Sequence, residues 1–183
     1  MANTINNKAK RDSRERMIKA LFELVQTRKV QDISISELCE LVQVNRTTFY
    51  NHYDNINKLA EDARNEIAQE YAQQFKGNTD GFTPENLLIM FQHFYDNQIV
   101  YNTYFRLNPS YTELLGVYDK DLAKQHYPGQ NDNLVRYHAE FFAAGITAII
   151  KRWLAGGCKE TPGEMVKIIT TEYIDRSLGL PSA

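Results

Sequence analysis

Apolar positions recur with a helical period along almost the whole chain. Met17, Ala20, Leu21, Leu24 and Val25 fall at i, i+3, i+4, i+7 and i+8, the single stripe of an amphipathic helix. A polar break from Thr27 to Asp32 ends it. In the next run, 33-ISISELCELV-42, Ile35, Leu38, Cys39 and Val42 form the buried face. Ser34 or Ser36 can cap that helix, and Ser34 with Glu37 has capping-box spacing. Only Gln43 and Val44 separate it from a further helix for which Asn45 is a good cap. A short helix, a tight turn and a second short helix predict a helix-turn-helix.

A longer stripe follows Asp54 and Asn55: Ile56, Leu59, Ala60, Ala63, Ile67, Tyr71 and Phe75. The segment 77-GNTDGFTPE-85 breaks it, and Thr83-Pro84-Glu85 supplies a cap and a first-turn proline for a new helix. Interruptions are expected near Asn108-Pro109 and at 127-YPGQNDN-133. From Leu134 to Leu154 the apolar residues cover more than one face, until Gly156-Gly157 stops the helix. Thr161-Pro162-Gly163-Glu164 then opens a last helix predicted to run to about Arg176. Strand alternation and internal repeats are absent from the sequence, so the fold class is all-α.

Composition narrows the function classes. The chain has 183 residues, 43% hydrophobic and 24% charged, with a formal net charge of -2. That size suits one domain or a small domain beside a larger one. A net negative charge argues against indiscriminate coating of nucleic acid. Charge is uneven, however: Lys8, Lys10, Arg11, Arg14, Arg16 and Lys19 crowd the start against Asp12 and Glu15, and the C-terminal part is acidic. Either this is a solvated basic arm or only the first part meets an anion. No run approaches the roughly 18 apolar residues of a membrane span. The N-terminus lacks the apolar segment of a secretory signal, so a cytoplasmic protein without a membrane partner is expected. Cys39 and Cys158 make neither a disulfide framework nor a metal cluster. Cys158, after two glycines, is expected to be exposed. The four histidines are scattered, and no catalytic or phosphate-loop motif is present, so neither an enzyme, a metal nor a cofactor is expected.

The stretch 44-VNRTTFYNHYDNI-56 buries little and carries many donors. On a helix beginning at Asn45, Phe49 and Tyr53 point inward, leaving Arg46, Thr47, Tyr50 and Asn51 outward. Arg46 can pair bidentately with guanine, Thr47 can meet thymine, and Thr48, Tyr50 and His52 can reach phosphates. The same residues could equally be the solvated face of a two-helix corner.

The run 33-ISISELCELVQVNRTTFYNHYDNINKLAED-62 resembles the DNA-binding domain of the TetR family of bacterial transcriptional regulators. Thr48, Phe49, Tyr50, His52 and Tyr53 match that family's Thr-Phe-Tyr-x-His-Phe/Tyr signature. The preceding Lys19-Ala20-Leu21 and Leu24 match its first helix. Two departures stand out. Gln43 fills the turn position where the family has glycine, implying a left-handed residue at a cost on the order of 1 kcal/mol. Ile56 replaces a lysine that meets a phosphate, with Lys58 two residues on.

The resemblance implies a three-helix DNA-binding domain over 1–56, a connecting helix over 57–76 and a ligand-binding and dimerisation domain over 77–183. The expected DNA contacts are Ser36, Asn45, Arg46, Thr47, Thr48, Tyr50, Asn51, His52 and Lys58. It also implies a ligand pocket in the aromatic middle region, with Phe91, His93, Tyr95, Tyr104, Arg106 and Phe141 as candidates, although each ring could simply pack the core. The junction 145-GITAIIKRWLAGGCKETPGEM-165 is similar to that of Firmicutes-type members, which dimerise through their last two helices. Expected interface residues are Phe142, Ile146, Ile149, Ile150, Trp153, Ile169 and Tyr173; Trp153 could equally be core. The implied function is a repressor that binds a palindromic operator in double-stranded DNA as a homodimer and is released by a small-molecule effector. The alternative is an activator or interaction module controlled by a protein partner.

Overall fold

The computed structural model describes residues 2–76, 83–107, 129 and 131–171, with side chains from residue 7 onward except at 138 and 139. Every described element is helical: α1 (Ala2–Leu24), a 3-10 turn (Val30–Asp32), α2 (Ile35–Leu41), α3 (Arg46–Tyr50), α4 (Ile56–Gln74), α5 (Pro84–Asp96), α6 (Gln98–Leu107), α7 (Asp132–Ala155) and α8 (Pro162–Ile169). Segment 77–82, the Asn108-Pro109 interruption, residues 127, 128 and 130 of the break at 127–133, Tyr173 and the end expected at Arg176 lie outside the described residues. The basic start is helical from Ala2, extending α1 well before its apolar stripe begins.

The caps follow from side-chain chemistry. Asn45 accepts from the Thr48 amide, Thr83 from Asn86 and Thr161 from Glu164, whose carboxylate returns to the Thr161 N–H. The expected box at Ser34 forms only halfway. Ser34 accepts from the Glu37 amide, but the Glu37 carboxylate turns to the Arg28 guanidinium at 2.7 and 3.0 Å. A charged bidentate partner outcompetes a neutral amide.

The turn after α2 is a Schellman motif. Val44 N–H donates to Cys39 C=O and Gln43 N–H to Glu40 C=O, with Gln43 at φ +54°. The same motif ends α7, where Gly157 takes φ +80° and Cys158 N–H donates to Trp153 C=O. Cys158 follows at φ +48° and is buried, contrary to the exposure expected after two glycines, because this motif folds its third residue back onto the helix. Burial pushes its thiol up to about 11.

Two compact units result. The first runs to Glu70, within α4, and takes in the last turn of α6 from Thr103. Its core joins Met17 and Leu21 of α1, Val25 just after it, Leu38 and Cys39 of α2, Phe49 of α3, Leu59 and Ala63 of α4, and Leu107. The last turn of α6 is held to the end of α1 by polar contacts. Gln26 Nε2 donates to Thr103 Oγ1 at 2.7 Å, and Arg106 donates to the Val25 and Gln26 carbonyls at 3.1 and 2.8 Å. Those carbonyls belong to a helix C-terminus, where an arginine is favoured.

The second unit begins at Tyr71. In it α5 packs along α8. Its interior includes a chain of rings in which Phe94 lies 4.5 Å edge-on to Tyr101 and 5.6 Å from Tyr71, which in turn stands 4.6 Å from Phe75.

Candidate nucleic-acid interface

Short α3 is held at both ends, which leaves one face free. At its start, Asn45 Oδ1 accepts from Thr48 N–H at 2.7 Å and from the Thr48 hydroxyl at 2.9 Å. Near its end, Phe49 is wholly buried and meets Tyr53 at 5.8 Å. Arg46, Thr47, Tyr50 and Asn51 are exposed on the other side, as the spacing predicts. Arg46 Nη2 donates one long hydrogen bond, 3.5 Å, to the Tyr50 hydroxyl. The remaining guanidinium donors and the phenol proton are therefore presented together on this face.

Behind α3 lies an ionic anchor that the sequence analysis did not find. Tyr53 donates its hydroxyl proton to Asp62 at 2.6 Å. Arg14 grips the same carboxylate at 2.7 and 2.9 Å and reaches Glu66 at 2.9 Å. The Arg14 hydrogen bond, helped by the one from Tyr53, holds the Asp62 carboxyl below its ordinary range despite partial burial. One carboxylate thus joins α1, α4 and the segment after α3. The pairing spans 48 positions, so no local spacing rule could reveal it.

His52 was expected to reach phosphate, and the structure turns it inward instead. Its Nε2 lies 2.9 Å from Ser13 Oγ, while that hydroxyl donates to the Lys10 carbonyl at 2.9 Å. Ser13 has one proton, so His52 must be the donor and carries its proton on Nε2. Burial, and then the charges of Lys10 and Arg14, push the imidazole pKa down, with Asp62 opposing. Ser36 is half-buried on α2. Lys58 is paired with Glu61 at 2.7 Å, and Ile56 packs against the head core. The family's lysine position is therefore filled by core-facing bulk, and Lys58 already has a carboxylate partner.

An open groove of about 690 Å³ runs between α1 and α3, lined in part by Lys10, Arg16, Thr48, Asn51 and His52.

The expected ligand set is divided rather than gathered. Phe91 is buried edge-on to Trp153 at 5.4 Å, and His93 Nε2 is 2.7 Å from the Tyr101 hydroxyl. Tyr95 is partly exposed beside Trp153, and Phe141 is 74% exposed. Tyr104 and Arg106 lie in the last turn of α6, which belongs to the first unit, where Arg106 braces α1. Helical periodicity cannot separate a pocket wall from a bracing contact.

The interface set also needs correction. Ile146, Ile150, Trp153 and Ile169 are buried within the chain's own core, and Trp153 Nε1 donates to the Glu160 carbonyl at 3.0 Å. Phe142 and Ile149 are half-buried. The apolar face that α7 leaves exposed is instead Leu134, Tyr137 and Phe141, at i, i+3 and i+7. Among the described residues, no cluster of metal-ligating side chains and no helix long and apolar enough to cross a membrane is present.

Residues 83–172 match the family model described as a transcriptional regulator C-terminal region. The HTH-type dhaKLM operon transcriptional activator DhaS of Lactococcus lactis subsp. lactis (strain IL1403) is 27% identical over 94 residues, 51% of this chain and 49% of that relative. The matched part thus spans about half the relative's length. A solved structure, the dihydroxyacetone kinase operon activator DhaS, superposes with a TM-score of 0.52 at 21% identity, covering 89% of this chain and 94% of that one. At that identity the likeness is one of fold.

Proposed function

We propose that this chain, a member of the TetR family of transcriptional regulators, binds a palindromic operator as a homodimer and lays α3 in the major groove. The observation that carries this reading is α3 itself. Its buried side consists of Phe49, while Arg46, Thr47, Tyr50 and Asn51 stand exposed on a helix of the size the groove admits. Arg46 reads guanine, Thr47 meets a neighbouring base, and Tyr50 holds a phosphate. Two copies join through the exposed face of α7, so that two reading helices meet successive major grooves about 34–36 Å apart. A mobility-shift assay with DNA from beside the protein's own gene tests this. A retarded band competed by the same duplex, but not by scrambled DNA, is expected; equal competition by both would overturn sequence-specific binding.

Regulation follows two readings. In the first, the protein is a repressor, and a small molecule bound among the helices of 84–142 weakens DNA binding through α4. In the second it is an activator under the control of a protein partner. The matched relative's name, an operon activator, favours the second. Measuring transcription of the adjacent genes with and without the regulator decides the sign.

A further inference from the structure

Three side chains of α1, Lys10, Ser13 and Arg16, form one wall of the 690 Å³ groove whose other wall includes Thr48, Asn51 and His52, and no carboxylate lines it. Most of these groups are committed. Arg16 Nη1 donates to the Val42 carbonyl at 2.9 Å, and its Nε faces Asp12 at 3.3 Å. The Ser13 and Thr48 hydroxyl protons go to Lys10 C=O and Asn45 Oδ1. His52 gives its Nε2 proton to Ser13. Lys10 differs: it is exposed, and its ammonium has no ion-pair partner among the described residues. Opposite it stands the exposed Asn51. An ammonium with unspent donors, walls without negative charge and room for several atoms favour an oxyanion. The groove's α3 wall is continuous with the face that carries Arg46 and Tyr50, which selects the occupant: a phosphodiester of the DNA backbone.

We propose that Lys10, with Asn51 across the groove, seats a backbone phosphate, making α1 a DNA-contacting element. This rests on the DNA-binding reading above. Lys58, at the start of α4, is already paired with Glu61, whereas the Lys10 ammonium has no such partner among the described residues. A phosphate contact fixes register and carries no base information, so its loss weakens binding on every sequence.

The test is fluorescence anisotropy of the full chain over a salt series. One short duplex is selected by the wild-type protein from random-sequence DNA, and the other is its scrambled counterpart. Lys10→Ala is expected to weaken both to the same degree and to reduce the magnitude of the log–log salt slope by about one per subunit. Lys8→Ala, which removes an equal charge two residues before Lys10 at a position that does not line the groove, is expected to keep the parent slope. Thermal unfolding of Lys10→Ala is expected to match wild type, since the side chain is exposed. A parent-like slope for Lys10→Ala, or an equal drop for Lys8→Ala, overturns the seat while leaving DNA binding intact. A wild-type protein that retains no duplex from the random-sequence pool overturns the regulator reading and the seat with it.

Discussion

Arg46 and Tyr50 sit one turn apart on the same exposed face, yet their chemistry assigns them different tasks. A guanidinium fork can match the two acceptors of guanine, whereas a phenol offers a single donor suited to a phosphate oxygen. Arg46→Ala is therefore expected to cost about 1–3 kcal/mol on the cognate duplex and to relax preference at one base pair. Tyr50→Ala should weaken cognate and scrambled DNA alike. Binding isotherms on both duplexes check the pair, and equal losses for Arg46→Ala on both would remove its base-reading role. Asp62 acts behind this face. Its carboxyl is held below the ordinary value near 3.8, chiefly by Arg14. A lowered folded pKa adds stability above the unfolded value, which is lost as pH falls through the folded one. Asp62→Asn is expected to lower the unfolding midpoint at neutral pH and to flatten its fall as the pH drops below about 4. Thermal melts across that range test it; parallel curves for the two proteins would contradict the assignment.

At the scale of elements, the turn between α2 and α3 is the most demanding piece of backbone in the head. Its left-handed position holds Gln43, whose Cβ opposes that conformation by roughly 1–2 kcal/mol. The motif persists because its two hydrogen bonds, the burial of Val42 and the cap at Asn45 hold the residues on either side. Gln43→Gly is expected to stabilise the protein by up to about 1 kcal/mol, the glycine's greater freedom when unfolded returning part of the gain. Chemical denaturation reads this directly, and a lower midpoint for the glycine variant would mean that the glutamine side chain contributes more than its strain. Helix α4 follows α3 in the chain and continues past Glu70 into the second unit, which is why the proposed effector route runs through it.

At the scale of the molecule, burial separates two kinds of apolar residue on α7. Ile150 is wholly enclosed, while Phe141 is 74% exposed. A charge at the first leaves a carboxylate stranded in the core, and a charge at the second stays in water within one chain and is costly only in the proposed dimer. Ile150→Glu is expected to unfold the protein, and Phe141→Glu to give a folded monomer with weakened operator binding. Light scattering with circular dichroism distinguishes them. A Phe141→Glu protein that stayed dimeric would place the interface elsewhere.

The sequence alone determined the helices of the head, their caps and the outward face of α3, because each depends on contacts within one or two turns. Asn45 four residues before Phe49, or proline after Thr161, acts on its own neighbourhood and can be read there. The left-handed Gln43 was legible only through the resemblance, because it stands where the family has glycine. Only the tertiary structure decided which partner each long polar side chain found and which side of a two-faced helix was enclosed. Arg14 with Asp62, Glu37 with Arg28, Ser13 with His52 and Arg106 with the end of α1 are meetings between distant segments. Ile150 and Phe141 look alike as apolar points on one helix. Their opposite environments come from α7 having a circumference larger than its own core can cover, a property of packing that periodicity does not contain.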